Sequence, residues 1–313
     1  EVLGGRQLYA DLWDNKSPLV FATYAAGELI SGYGERAIFV LGLGAATLTL
    51  LGVAAAARVI TGSRAAGLWA AAAWTLESAD QALQANQPNI EVFLNVSLVW
   101  IFVLLATRRA RPVLVGVLSA AASLYKLVVI PMLVLWQLVH VIRSEADARR
   151  AALREVAISS GTFLAVWMAV VGYFAATGRA DVLHQAVFTY NESFAGSLLA
   201  NLATGLAPDR LFPRVLWCAA PLAVLAAVGL AWLMRSGRWR SGVLWLAYAG
   251  GTVVSVALPG RFWPHYYQLW LPLLAIGAGI GVHALTQPSA PIRARALGVA
   301  ALAAFVLQFF HHF

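Results

Sequence analysis

The stretch AIFVLGLGAATLTLLGVAAAA, residues 37–57, decides the fold class. It carries no charged side chain. At a rise of about 1.5 Å per residue, a helix of this length crosses a hydrocarbon core of roughly 30 Å. Similar apolar runs follow to the end of the chain, which has 313 residues and is 61% hydrophobic and 12% charged. So little polar surface cannot coat a soluble globule, and the sequence therefore predicts an integral membrane protein.

The apolar runs are too long and too uniform for barrel strands, and backbone groups in lipid must be paired within the protein. We therefore expect an all-α, polytopic fold with about ten membrane segments. The two segments between residues 112 and 143 are interpreted as a short hairpin, rather than as one long kinked helix, with Lys126 at its tip. The predicted segments lie near residues 36–58, 64–84, 91–107, 112–125, 127–143, 155–177, 214–234, 241–258, 266–285 and 296–313.

A single transmembrane domain is expected over residues 1–313. Its parts are an outer loop and juxtamembrane helix (1–35), membrane helices (36–178), an extracytoplasmic loop (179–213) and further membrane helices (214–313). Within the long loop, apolar residues recur every three or four positions, which predicts a helix lying in the membrane interface. These residues are Leu183, Val187, Tyr190, Phe194 and Leu198.

Most cations fall in one alternating set of loops, which the positive-inside rule assigns to the cytoplasm. Because they are dispersed and no basic aromatic patch occurs, the net charge of +8 does not predict a nucleic-acid partner. The acids gather in the other loops, which we expect on the extracytoplasmic side. The cytoplasmic set is Arg58, Arg64, Arg108, Arg109, Arg111, Arg143, Arg149, Arg150, Arg154, Arg235, Arg238, Arg240, Arg293 and Arg295.

Four polar stretches meet on the predicted outer face, and each alone has an ordinary structural explanation as loop charge, helix terminus or aromatic belt. The first is YADLWDNKSPL (9–19), with Asp11, Asp14 and Lys16. The others are QANQPNIEVF (84–93) with Glu91 at a helix start, the hairpin tip with Lys126, and PGRFWPHYYQLWLPLL (259–274) with Arg261, His265, Tyr266 and Tyr267.

Together these stretches resemble the GT-C glycosyltransferases related to the protein O-mannosyltransferases and the lipid A aminoarabinose transferase. Members commonly show a glycine, Leu-Tyr, an acid and then Asp-x-Lys-Pro-Pro-Leu. Ser17 stands here in place of the first proline of that pattern, and NQPNIEVF and RFWPHYYQLWLPLL resemble later parts of the group in the same order. The matching positions of the first motif are Gly5, Leu8, Tyr9, Asp11, Asp14, Lys16, Pro18 and Leu19.

The resemblance implies an enzyme that moves a sugar from a polyprenyl-phosphate donor to a lipid, glycan or protein acceptor. It implies action at the extracytoplasmic face of the bacterial inner membrane. Such a reaction needs a carboxylate base for the acceptor hydroxyl and a cation for the departing phosphate. In this group the leading candidate for the base is an acid after the first membrane helix. We expect that acid to lie before Glu1, with the first helix and a C-terminal part also missing and these residues alone inactive.

Roles for the remaining residues are therefore expectations. Lys16 is expected to bind the donor phosphate, with Lys126 and Arg261 as further candidates. Glu91 is expected to orient the sugar or Lys16. The supporting acids are Asp11, Asp14 and Glu91; the predicted substrate contacts are Tyr9, His265, Tyr266 and Tyr267; and a divalent cation is considered at Asp14 and His265, with no other cofactor expected.

A polytopic transporter or lipid flippase is the main alternative, and a lipid-binding or assembly subunit without catalysis is another. Transporters tend to have repeated halves and charges near the midplane of the membrane. Here the two halves do not match and the charges gather on one face, which favours the enzyme.

Overall fold

The computed structural model describes residues 2–107 and 111–312. Glu1, Arg108 and Arg109, which entered the predictions above, lie outside these ranges. The described residues form helices and turns without a β-strand, apart from an isolated bridge between Leu8 and Leu12. The all-α prediction is therefore confirmed for this part of the chain.

The helices of the described residues are named in chain order. They are α1 (Pro18–Ser31), α2 (Glu35–Thr61), α3 (Arg64–Glu77), α4 (Ile90–Ala106), α5 (Pro112–Tyr125), α6 (Ile130–Ile142), α7 (Arg149–Ala176), α8 (Ala180–His184), α9 (Tyr190–Ala195), α10 (Leu198–Gly205), α11 (Pro208–Leu211), α12 (Ala220–Arg235), α13 (Trp239–Ala257), α14 (Trp270–Thr286) and α15 (Ile292–His312). Short 3₁₀ turns, Arg214–Ala219 and Pro264–Leu269, lead into α12 and α14.

Helices occupy all ten predicted segments, but not all are long enough to cross a membrane unaided. Among the described residues, four helical stretches meet the length and composition of a membrane span: Glu35–Thr61, Arg149–Ala176, Arg214–Arg235 and Pro264–Thr286. The chain is thus a helical membrane protein, and ten crossings remain a prediction. The predicted end of the second segment at residue 84 is wrong, because α3 stops at Glu77 and Asp80 then accepts a hydrogen bond from the Leu83 N–H in a turn.

Contacts with α7 establish the hairpin of α5 and α6. Gly116 near the start of α5 and Gln137 near the end of α6 both lie against Ser159. Farther along α7, Trp167 donates to Ser123 near the end of α5. His140, three residues after Gln137, pairs with Glu155, one turn before Ser159 in α7, at 2.8 Å. The helix α5 therefore runs parallel to α7 and α6 runs antiparallel to it, so the prediction of a hairpin with Lys126 at its tip is confirmed.

A helix is present in the long loop where the apolar stripe predicts one, but it is shorter than the stripe, and its place in the membrane interface remains a prediction. Residues 180–195 form one continuous run of α8, a π-helical turn and α9. It ends at Gly196, whose φ of 69° favours glycine. Leu198 opens the separate helix α10, so its assignment to the same helix is wrong.

Helix α14 is largely buried, with 12 of its 17 residues buried, and packs against α12, α3 and α2. Small residues allow close approach, as is common between membrane helices. A Cβ at Gly229 of α12 would lie 2.6 Å from the Gly277 carbonyl oxygen of α14. This packing fixes the 3₁₀ turn before α14, which carries His265 and Tyr266.

The loops gather into two groups at opposite ends of the hairpin. One group, called the lysine end, holds Lys16, Lys126 and the loops 78–89, 179–213 and 258–266. Hydrogen bonds join its parts, for example Tyr24–Pro88, Gln268–Leu83, Tyr267–Arg210 and Arg261–Phe194.

The other group, called the arginine end, joins loops near residues 58–64, 143–149 and 235–240. Arg238 donates to the Ile60 carbonyl, and Arg240 pairs with Glu145. The predicted grouping is confirmed for these three loops. Arg108 and Arg109 lie outside the described residues, and the assignment of the lysine end to the extracytoplasmic face remains a prediction.

Candidate functional site

Lysine is rare in this chain, and both lysines lie at the lysine end. Among 22 Lys and Arg residues only Lys16 and Lys126 are lysines, and each forms an ion pair with a carboxylate. A lysine ammonium binds phosphate as a compact point charge, on a flexible stem. The scarcity of lysine is thus a signal in the sequence that singles out both positions.

The inner pair joins Lys126 to Glu91, with 2.5 Å between Nζ and Oε1. Only 2% of the Glu91 side chain and 18% of the Lys126 side chain are exposed. The same ammonium lies 3.5 Å from the centre of the Tyr266 ring, a geometry in which the ring quadrupole attracts a cation. Carboxylate and ring together compensate the removal of Lys126 from water.

Local sequence explains both positions of the inner pair. Glu91 is in the first turn of α4, where free backbone N–H groups favour an anion. Lys126 is in an extended conformation between α5 and a 3₁₀ turn, and Pro131 follows at the start of α6. Proline is accommodated in the first turn of a helix but not in its interior, so the hairpin breaks before it and leaves Lys126 at the tip.

The outer pair joins Lys16 to Asp14, with 2.8 Å between Nζ and Oδ2. Here 45% of the lysine side chain is exposed, so its ammonium is open to a ligand. Asp11 accepts a hydrogen bond from the Gln7 N–H at 2.7 Å, which closes the loop on itself. Of the two acids in this motif, Asp14 is therefore the one that lies against the lysine.

Tyr9 shapes the loop that carries Lys16. Its ring is buried beside Phe21 and Phe174, and its hydroxyl donates to the Lys16 carbonyl at 2.6 Å. Burial, with Asp14 nearby, raises the pKa of Tyr9, so the phenol stays protonated as a donor. The residue has a positive φ of 67°, an uncommon conformation for a side chain of this size. A substrate contact by Tyr9 remains a prediction.

Two residues missed by the sequence reasoning hold this loop in place. Asn191 in α9 donates to the Asn15 carbonyl at 2.9 Å, and Arg179 donates to the Leu8 carbonyl at 3.3 Å. Both come from the long loop between α7 and α12. No spacing in the sequence points to these contacts, because they join residues far apart in the chain.

Helix α1 connects the two ion pairs. It begins at Pro18, two residues after Lys16, and Thr23 within it shares a hydrogen bond of 2.6 Å with the hydroxyl of Tyr125, the residue before Lys126. The Tyr125 ring is stacked with Phe93, two residues beyond Glu91. The two lysines thus belong to one connected structure, although Glu91 pairs with Lys126 and not with Lys16.

The residues of the last polar stretch, 259–274, differ in whether they lie beside Lys126. Tyr266 lies under Lys126, and His265 contacts the Tyr266 ring edge-on at 4.7 Å near enough to interact electrostatically with Glu91. Tyr267 instead donates to the Arg210 carbonyl. Arg261 donates to the Phe194 carbonyl and covers the Phe194 ring, so both residues tie loops together.

A divalent cation is not supported by the residues proposed for it. Asp14 is occupied by Lys16, whereas His265 belongs to the inner cluster beside Lys126. Within residues 2–107 and 111–312, no three His, Cys, Asp or Glu side chains are grouped so that they could hold a metal ion. The described donor set therefore does not fit a metal at Asp14 and His265.

Comparison with solved structures finds the archaeal oligosaccharyltransferase AglB from Archaeoglobus fulgidus, in complex with an inhibitory peptide and a dolichol-phosphate. The TM-score is 0.50 at 12% sequence identity, and the match covers 95% of this chain and 47% of the AglB chain. This chain thus spans about half the length of AglB. No protein-family model and no curated protein matches it. At this identity the likeness concerns the fold alone: the fold of this chain is similar to that of the matched half of AglB.

Proposed function

We propose that this protein is a membrane glycosyltransferase that takes a sugar from a polyprenyl-phosphate donor at the extracytoplasmic face of the bacterial inner membrane. The acceptor is a lipid, a glycan or a protein. The observation that carries the proposal is the position of the only two lysines. Both lie at one end of a GT-C-like fold, and each is paired with a carboxylate.

The reaction requires one site to accept a proton from the acceptor and to stabilise the negative charge of the departing phosphate. The acceptor oxygen forms a bond to the anomeric carbon while the bond from that carbon to the phosphate oxygen breaks. A carboxylate base takes the acceptor proton, and the electron pair of the broken bond leaves with the polyprenyl phosphate. A cation that meets the departing phosphate stabilises the transition state more than the ground state.

Lys16 is the leading candidate for that cation. Its side chain is the more exposed of the two lysines, 45% against 18%. It lies two residues before the start of α1 at Pro18, and the positive end of the helix dipole favours an anion there. Lys16 thus offers the donor phosphate a partly exposed ammonium at a helix start.

Lys126 and Arg261 are secondary candidates, because the Lys126 side chain is only 18% exposed beside Glu91 and Arg261 donates to the Phe194 carbonyl while covering the Phe194 ring. For Lys126 to bind a phosphate it must leave Glu91 or share its ammonium with both anions. Glu91 then supports the site by holding Lys126 over Tyr266. Asp14 likewise holds Lys16 through an ion pair. Both acids therefore suit a supporting role better than that of the base.

The test is product analysis with the full-length protein in sealed vesicles and a polyprenyl phosphate that carries a radiolabelled sugar. We expect the label on an acceptor, with unlabelled polyprenyl phosphate released. Labelled donor that moves unchanged between leaflets or into the lumen would instead identify a flippase or transporter. Vesicles that lack the protein provide the background.

A further inference from the structure

A row of aromatic rings connects the two lysines on the outside of the lysine end. Trp13 contacts Tyr190 edge-on with 5.1 Å between ring centres, Tyr190 stacks with Phe194 at 6.0 Å, and Phe194 contacts Trp263 at 6.2 Å. These four residues, called the aromatic row, come from the first loop, from α9 and from the loop before α14. Ring contact thus joins segments that are far apart in sequence.

Each end of the aromatic row reaches one ion pair. Trp13 precedes Asp14, the partner of Lys16. At the other end Trp263 contacts both His265 and Tyr266, and Tyr266 lies under the Lys126 ammonium. The row therefore spans the interval between the two charged groups of the proposed site.

Three rings of the row, those of Trp13, Tyr190 and Trp263, are open to a ligand, whereas the Phe194 ring is covered by Arg261. The exposed fraction is 60% for Trp13 and 46% for Trp263. Rings of an interfacial belt anchor helices singly around the membrane boundary. In the aromatic row the rings contact one another, and the Arg261 guanidinium lies 4.1 Å from the centre of the Phe194 ring.

We infer that the aromatic row binds the pyranose rings of the substrate, an inference that rests on the proposed function. The C–H groups on one face of a pyranose pack against the electron-rich face of an aromatic ring. The hydroxyl groups project sideways, where they meet charged and polar groups. A row of rings with a carboxylate–lysine pair at each end offers both kinds of contact.

The pyranose could belong to the donor or to a glycan acceptor, and the probes separate these sources. Binding is measured to full-length protein in nanodiscs. The donor probes are undecaprenyl phosphates carrying mannose, glucose or galactose, and bare undecaprenyl phosphate serves as the sugar-free reference. The acceptor probes are the trisaccharides of the same sugars.

The variants are Trp13→Ala and Trp263→Ala. Trp217→Ala is the matched control, because its side chain is 59% exposed but lies in the 3₁₀ turn before α12.

We expect wild-type protein to bind at least one sugar-bearing undecaprenyl phosphate more tightly than bare undecaprenyl phosphate, or to bind at least one of the trisaccharides. Each row variant should weaken that binding by roughly 3- to 10-fold and leave the affinity for bare undecaprenyl phosphate unchanged, while Trp217→Ala has no effect. Loss confined to the lipid-linked sugars identifies the donor, and loss confined to the trisaccharides identifies an acceptor.

Equal sugar binding by wild type, row variants and control would overturn the inference. So would wild-type protein that binds none of the trisaccharides and binds the sugar-bearing undecaprenyl phosphates no more tightly than bare undecaprenyl phosphate. Lys16→Ala reports separately on the proposed function. If it leaves the affinity for bare undecaprenyl phosphate unchanged, the phosphate site is wrong even where the aromatic row binds sugar. Thermal unfolding of each variant shows whether it is folded.

Discussion

Two ion pairs at opposite ends of the molecule have nearly the same geometry and different surroundings. The Lys126–Glu91 pair at the lysine end has an N–O distance of 2.5 Å, and the Arg240–Glu145 pair at the arginine end has 2.6 Å. The arginine pair lies in the open, with side chains 45% and 62% exposed, whereas Glu91 is almost fully enclosed. Of these two pairs, the Lys126–Glu91 pair therefore bears the greater cost of removing charge from water.

The comparison shows that the N–O distance of an ion pair does not reveal its function. An exposed pair contributes little to stability, and positive loops orient a membrane protein without any binding role. A buried pair is often no more stabilising than apolar residues of the same volume. Stability alone thus does not account for the Lys126–Glu91 pair, and the substrate-binding role proposed for it can be tested separately from stability.

The largest expected effect is on stability when the inner pair is broken. Glu91→Gln leaves the Lys126 ammonium without its anion in a largely enclosed place. We expect the free energy of unfolding to fall by about 3–5 kcal/mol, measured by titration with sodium dodecyl sulfate. A fall below ~1 kcal/mol would mean that water reaches the pair and that its burial is not costly.

Removing both charges separates stability from function. The double variant Glu91→Gln with Lys126→Met replaces the ammonium by an apolar side chain of similar length. We expect its unfolding free energy to return to within about 1 kcal/mol of wild type, while transfer of sugar from the polyprenyl-phosphate donor stays impaired. Wild-type transfer by a stable double variant would show that the inner pair has no part in the reaction.

A smaller effect is expected where α9 holds the first loop. Asn191→Ala removes the hydrogen bond to the Asn15 carbonyl, at a cost of about 1 kcal/mol. Because the loop then holds Lys16 less firmly, KM for the donor should rise several-fold at nearly constant kcat. Ser193→Ala is the control, since its hydroxyl bonds the Tyr190 carbonyl within the same helix. Equal KM values for both variants would remove the positioning role.

The smallest effect is expected at the arginine end. Glu145→Gln removes the anion of an exposed pair, and we expect a loss of about 0–1 kcal/mol that shrinks further in high salt. The same titration with detergent provides the measurement. A loss as large as that of Glu91→Gln would erase the contrast between the two ends.

Much of the fold follows from the sequence because apolar length and loop charge are local properties. They predict helices in all ten segments, the hairpin between α5 and α6 and the sorting of loops into two ends. The end of α3 was missed because residues 78–84 form a turn closed by Asp80. The break at Gly196 was missed because the apolar stripe continues beyond it to Leu198.

The candidate site was predicted as a set of residue types but not as a set of partners. Asp14 and Lys16 are two positions apart, so their pairing is local. The partner of Glu91 is 35 positions away, and the packing of α4 beside α5 brings them together. The ring contacts of the aromatic row depend on how α9 packs against the first loop. No periodicity in the sequence determines that packing.

Turnover of a polyprenyl phosphate with a labelled sugar tests most directly the claim that Lys16 meets the donor phosphate. Full-length wild-type protein is compared with Lys16→Ala, Lys16→Arg and Arg240→Ala. We expect Lys16→Ala to lower turnover by about 100-fold or more, Lys16→Arg to retain part of it and Arg240→Ala to equal wild type. Equal turnover by wild type and Lys16→Ala would contradict the account.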